Sequence, residues 1–193
     1  MTEAEKNTQA QEQEQEQEQE QKQEQKQENK ANAPYPRIKI TVRDMGTMTA
    51  ELYPDKAPAT VENFLSLVRE GFFSGMIFHR VIAGFMIQGG GYDEDFQEKD
   101  APSIHGEFAA NGFWQNDLRH TRGVLSMART SVPDSASSQF FIMHADAPHL
   151  DGQYAAFGRL TDGLSVVDRI AALRTDRYDC PREVPVIESI EIL

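Results

Sequence analysis

From Arg37 the chain alternates, with Ile38, Ile40 and Val42 separated by polar or charged residues. That is the period of a strand with one buried face. The run breaks at DMG, residues 44–46, and TMTAELY then resumes it, so the two runs predict a hairpin. Beyond Pro54 the period changes. In APATVENFLSLVREG, Pro58 suits a first helical turn, and Val61, Phe64, Leu65 and Val68 recur at i, i+3, i+4 and i+7. This predicts an amphipathic helix that stops at Gly71.

The middle of the chain is a series of short apolar runs, MIFHRVI, FMIQ, GVLSMA, QFFIMH and YAAFGRL, separated by stretches rich in Gly, Asp, Asn and Ser. A second helix is predicted over LSVVDRIAAL, with Val166, Val167, Ile170 and Leu173 along one side, and VPVIESIEIL closes the chain as a strand. Many short strands with two helices, and no regular strand-helix alternation, predict a mainly β fold: a closed antiparallel barrel with helices at its ends.

Residues 1–33 follow neither period. They contain no Val, Ile, Leu, Phe, Trp, Tyr or Cys, and their middle reads QEQEQEQEQEQKQEQKQE. Such a segment has almost nothing to bury against the entropy of ordering it, so a disordered, solvated tail is expected over 1–33 and a single domain over 34–193. The tail carries nine acidic against four basic residues, so the formal charge of −12 leaves −7 on the rest. No basic run or stripe is present to neutralise phosphates, which argues against nucleic acid as a partner and disfavours an anionic lipid surface. The amino terminus lacks a basic stretch followed by an apolar one, and no run approaches about 18 apolar residues, so neither a secretory signal nor a membrane span is expected. Cys180 is the only cysteine, which excludes an internal disulfide. The expected compartment is the cytoplasm.

Familiar chemistry finds few candidates. Histidines stand at 79, 105, 120, 144 and 149, but none form HxH or HExxH, so no metal site is expected. Ser137 and Ser138 lack a nucleophile elbow, and Asp93 and Asp95 belong to a charged loop that reads as solvated surface. There is no Walker loop and no dinucleotide fingerprint, and no cofactor is expected.

One feature remains. In FHRVIAGFMIQGGG, residues 78–91, Arg80 interrupts an otherwise apolar run. A buried guanidinium is costly unless paired, so Arg80 is either paired with an acid or faces a place where something binds. Alternation puts Gln139 and Phe141 on one side of their strand and Phe140 and Ile142 on the other, and gives Met86 and Gln88 a common side. Arg80, Met86, Gln88, Gln139 and Phe141 thus either converge on one outward-facing groove or are ordinary strand residues; spacing leaves both open.

FHRVIAGFMIQGG together with SSQFFIMHADAPHLDGQYAAFGRL resembles the two signature regions of the cyclophilins, the peptidyl-prolyl cis-trans isomerases. TVENFLSLVREGFFSGMIFHR, SIHGEF, RGVLSMA and the terminal strand are similar too, so the likeness covers residues 36–193 and leaves the tail outside. The resemblance implies an eight-stranded antiparallel barrel capped by two helices, with the active site in a groove on its outer surface. It implies Arg80 as the catalytic residue and Phe85, Met86, Phe141 and Leu150 as the proline pocket. Gln88, Ala128, Arg129 and Gln139 would line the groove or hold the substrate backbone, with His149 and Tyr154 at two further groove positions.

The implied partners are proline-containing peptides and unfolded or folding proteins, met by a monomer that assists protein folding. His149 stands where many eukaryotic members have tryptophan, and Tyr154 where they have histidine, so weak cyclosporin binding is implied. Ala83 replaces a usual proline, and Arg129 stands where asparagine is frequent. The rival expectation is a proline-peptide-binding scaffold or chaperone module with little catalysis; a further one is that the Glu-rich tail recruits a basic partner.

Overall fold

The computed structural model describes residues 35–193. The expected tail over 1–33 lies outside the described residues. Among the described residues there are eight strands: β1 Arg37–Val42, β2 Gly46–Leu52, β3 Arg80–Ile82, β4 Met86–Gly89, β5 Val124–Met127, β6 Phe140–Met143, β7 Ala156–Asp162 and β8 Ile187–Ile192. Two helices join them, α1 Pro58–Arg69 and α2 Leu164–Ala171. All the ladders are antiparallel, in the order β3-β4-β6-β5-β7-β2-β1-β8. The mainly β architecture with two helices matches the expectation.

Closure of the barrel does not. β3 and β8 are the two ends of the ladder, and only a single bridge between Ile77 and Val186, with flanking backbone bonds such as Phe78 N–H to the Pro185 carbonyl, spans the gap between them. The reason is local. β3 is three residues long, and Pro185 has no N–H with which to continue a ladder. The sheet is therefore curled but open.

The predicted hairpin forms, with Ile38, Ile40 and Val42 of β1 and Met48, Ala50 and Leu52 of β2 all buried on one face. Helix α1 begins with Pro58 and ends in a Schellman arrangement: Gly71 takes φ +67°, while Phe72 N–H reaches the Leu67 carbonyl and Gly71 N–H the Val68 carbonyl. Its first turn has no side-chain cap of its own. Glu107, buried and 47 residues away, supplies one instead, its carboxylate accepting from Ala59 N–H at 2.9 Å, Thr60 N–H at 2.8 Å and Thr60 Oγ1 at 2.7 Å. A negative charge there satisfies orphan donors and complements the helix dipole. Helix α2 stops two residues short of the predicted Leu173.

Val61, Phe64, Leu65 and Val68 of α1 and Val166, Val167 and Ile170 of α2 enter one large core with the inner face of the sheet. Phe64 is its centre, with ring centroids 4.9 Å from Phe73, 5.1 Å from Phe157 and 5.3 Å from Phe140. Strands β5 and β6 are buried on both faces. Leu125, Met127, Phe140 and Ile142 point into the main core. Val124, Phe141 and Met143 form a second, smaller cluster with Met86, Ala147, Leu150 and Ala156.

Candidate active site

Met86, Phe141 and Leu150 of the second cluster are the floor of a groove of about 410 Å³, lined also by Arg80, Phe85, Gln88, Ala128, Arg129 and Tyr154. Register explains the convergence. Arg80 on β3 stands opposite Gln88 on β4, Gln88 opposite Phe141 on β6, and Phe141 opposite Ser126 on β5. Residues far apart in sequence thus form one row across four strands, with Met86 one pleat along, beside Met143.

Arg80 is paired with an acid and stands at the groove. Its Nε lies 3.7 Å from the Asp179 carboxylate, and it also lines the groove. Each of the two side chains is a little under half exposed, so the pair steers the guanidinium without removing it from solvent. Asp179 takes φ +63°, and its carbonyl accepts from Val81 N–H at 2.8 Å, which fastens its loop to β3.

Gln88 and Gln139 are joined, the Gln88 amide donating to Gln139 Oε1 at 3.0 Å. The Gln139 backbone carbonyl accepts from Ala128 N–H at 2.9 Å, which holds the opposite wall. The glycine run beside them leaves room. A Cβ on Gly91 would lie 2.5 Å from the Gln139 side chain, and Gly90 takes φ +84°, a conformation that suits only glycine well.

Arg129 is committed to the wall. Its guanidinium lies 4.6 Å from the Tyr154 ring centroid and 4.9 Å from that of Phe108, and it donates to the carbonyls of Gln153 at 2.8 Å and Thr130 at 2.9 Å. His149 is exposed at the rim, its ring stacked on Phe85 at 5.8 Å. Of the residues expected at the groove, nine line it, while Gln139 joins through Gln88 and His149 through Phe85.

Sequence reasoning missed several supports. His120, rejected only as a metal ligand, is 1% exposed and stacked beneath Phe141 at 6.1 Å. Its ring nitrogens contact Asp151 Oδ1 at 3.1 Å and Ser126 Oγ at 2.9 Å. The constellation has the members of a hydrolytic triad, but Ser126 is fully buried and no substrate carbonyl can reach it. Burial lowers the His120 pKa against the opposing pull of Asp151, which favours the neutral ring. His144 holds the turn before Phe85, its Nδ1 accepting from Gly84 N–H at 2.8 Å while Nε2 contacts Asp168 at 3.1 Å. Neither histidine carried a sequence signal beyond its residue type.

Among the described residues, no group of three His, Cys, Asp or Glu is arranged to hold a metal. Ser138 donates to the Gly90 carbonyl at 2.8 Å, and the Ser137 carbonyl accepts from Asn63. The Ser138 hydroxyl is thus committed to the backbone of the glycine run. Among the described residues, no helix is long and apolar enough to cross a membrane.

Comparison with known proteins gives consistent matches. Residues 37–192 match the family model of cyclophilin type peptidyl-prolyl cis-trans isomerases. A peptidyl-prolyl cis-trans isomerase of Acinetobacter baylyi is 46% identical over 147 residues, covering 74% of this chain and 76% of that protein. Peptidyl-prolyl cis-trans isomerase B of Escherichia coli is 42% identical over 159 residues, covering 76% of this chain and 94% of the relative. Among solved structures, a Cryptosporidium parvum cyclophilin type isomerase in the presence of the dipeptide Ala-Pro superposes with a TM-score of 0.69 at 30% identity, over 81% of this chain and 98% of that one.

Proposed function

This chain belongs to the cyclophilin-type peptidyl-prolyl cis-trans isomerases, and from that premise we propose that Arg80 accelerates rotation about X-Pro bonds by electrostatic stabilisation of the twisted amide. The observation that carries the reading is that Arg80 shares one groove with Phe85, Met86, Phe141 and Leu150. An always-charged donor fork at the edge of an apolar pocket is what the chemistry calls for.

An X-Pro bond rotates slowly because rotation destroys amide resonance, at a barrier of about 18–20 kcal/mol. In the twisted state the prolyl nitrogen pyramidalises and gains a lone pair. A fixed donor aimed at that nitrogen helps the transition state more than the planar ground state. The guanidinium of Arg80 is rigid and charged at any working pH, and Asp179 limits its wandering.

The pyrrolidine ring enters the pocket of Phe85, Met86, Phe141 and Leu150, while Gln88, with Gln139 behind it, and the backbone near Ala128 and Arg129 hold the peptide on the other side of the bond. Tyr154 and His149 bound the groove. A barrier lowered by about 7 kcal/mol corresponds to roughly 10⁵-fold in rate. No proton moves and no covalent intermediate forms, so turnover changes little across neutral pH.

Proline-containing peptides and folding chains are the substrates of this reading, in a reducing cytoplasm that suits a chain with one cysteine. The domain over 34–193 acts as a monomer. His149, exposed and small beside a tryptophan, offers cyclosporin little surface, so its binding is weak.

The test is the cis-to-trans rate of a short Ala-Pro peptide with wild type and Arg80→Ala, with peptide affinity measured alongside. Strong acceleration that falls at least about 100-fold in the variant, with affinity largely kept, is expected. Binding without acceleration in the wild type would make the groove a proline-holding module.

A further inference from the structure

A second groove of the same size, about 410 Å³, shares no lining residue with the first. Its walls carry Tyr35, Tyr53, Leu118, Arg119, Thr121 and Arg159. Sheet register forms it: Arg159 on β7 stands opposite Val124 on β5, and Tyr53 N–H bonds to the Phe157 carbonyl beside them. Tyr35 packs edge-on against Tyr53 at 4.9 Å.

The wall between Leu118 and Val124 is stiff for a visible reason. His120 turns inward from it, with its backbone N–H donating to Asp151 at 2.7 Å and its ring held by Asp151 and Ser126. That anchor fixes the backbone from which Arg119 and Thr121 line the groove.

The groove holds three cations, of which one is in an ion pair. Lys56 lies 2.7 Å from the Asp117 carboxylate. Among the described residues, no carboxylate stands within ion-pair distance of Arg119 or Arg159. Two guanidinium forks thus share one concave site with no carboxylate paired to either, although Glu51 stands across the β2–β7 ladder from Arg159 and Asp55 lies beside Tyr35. The floor beneath them, Leu118, Val124 and the tyrosine rings, is apolar. A bare anion would use the cations and leave the floor wet; an apolar segment would leave the cations unmatched.

We propose that this groove is a second binding site, for an acidic peptide segment, with carboxylates on Arg119 and Arg159 and an aliphatic side chain on Tyr53, Leu118 and Val124. Arginine forks suit carboxylates bidentately, and the surrounding net negative charge makes this a short-range contact that salt weakens. For an isomerase, a client held here by an acidic segment presents its prolines to the Arg80 groove at raised effective concentration. Only that consequence rests on the isomerase reading; the binding does not.

The test uses the full chain, ¹⁵N-labelled, titrated with an acetylated and amidated Glu-Glu-Leu-Glu-Glu peptide and with its all-Gln counterpart. Amide shifts are expected over residues 118–124, Tyr53 and Arg159, with affinity falling at least about fivefold in the double variant Arg119→Gln/Arg159→Gln and about threefold or more on raising salt from about 50 to about 300 mM. Turnover of an isolated Ala-Pro peptide stays unchanged in that variant. Equal binding by the Gln peptide, equal binding by the double variant, shifts confined to the Arg80 groove, or no shifts at millimolar peptide would each overturn the proposal. Inorganic phosphate causing the same shifts, with the peptide adding nothing at the floor residues, would overturn it in favour of a simple anion site. None of these outcomes bears on the Arg80→Ala test.

Discussion

Arg80 and Asp179 are 99 residues apart in sequence, yet Arg80 Nε lies 3.7 Å from Asp179 Oδ2 at the edge of the groove. The pair is half exposed, so its worth to the fold is small, about 0–1 kcal/mol. Its effect is on where the guanidinium points. Asp179→Asn, which tolerates the positive φ, is therefore expected to lower kcat/KM about two- to tenfold with little change in Tm. A peptide isomerisation assay beside a thermal melt reads both; a large Tm loss with normal kcat/KM would show the pair to be structural.

Gly91→Ala tests the amide pair. The new methyl falls 2.5 Å from Gln139, whose side chain can swing away, breaking the bond to Gln88. The net stability cost is about 0.5–1.5 kcal/mol, while kcat/KM is expected to drop several-fold. Unchanged turnover would remove Gln139 from substrate holding.

The Glu107 cap makes a stability prediction. Glu107→Gln keeps the shape but turns an NH₂ toward a donor, leaving the part-buried N–H of Ala59 or the buried N–H of Thr60 unsatisfied. The expected loss is about 2–4 kcal/mol, or roughly 5–10 °C in Tm, with normal turnover below the transition. A shift under about 1 °C would contradict the capping role.

Acid sensitivity follows from His79. Burial, with Arg80 adjacent, lowers its pKa from 6.5 to about 4. The unfolded chain then binds more protons than the folded one, so stability is complete above about pH 6.5 and falls as pH drops toward 4, by up to about 3 kcal/mol. His120, lowered by its own burial, adds in the same direction. Glu94, held low by Arg43, and Asp117, held low by Lys56, contribute losses only at lower pH. Urea midpoints at several pH values in this window should decline for the wild type and flatten in His79→Phe. An equal slope in the variant would assign the acid loss elsewhere.

Much of this was legible in the chain because it depends on local periodicity. The β1-β2 hairpin, α1 with its Pro58 start and Gly71 stop, and the β6 alternation that separates Phe140 from Phe141 each follow from residues within one element of each other. The motif around Arg80 and the run from Ser137 to Leu160 were specific enough to give the family resemblance and the groove residues by number. Position along a strand settles which face a side chain takes, and that information is in the sequence.

What the sequence left open were relationships with no local term. Nothing near Arg80 announces Asp179, nothing near Pro58 announces that Glu107 will cap its helix, and His120 reads like any of five histidines until its ring is found beneath Phe141. The ladder's failure to close between β3 and β8 likewise depends on how Pro185 meets the strand edge. Pairings across such separations are selected by burial and hydrogen-bond satisfaction in the packed molecule, where an unpaired charge or donor is costly. Local pattern therefore decided the elements and the faces they present, and only tertiary packing decided which distant polar groups would hold the groove in place.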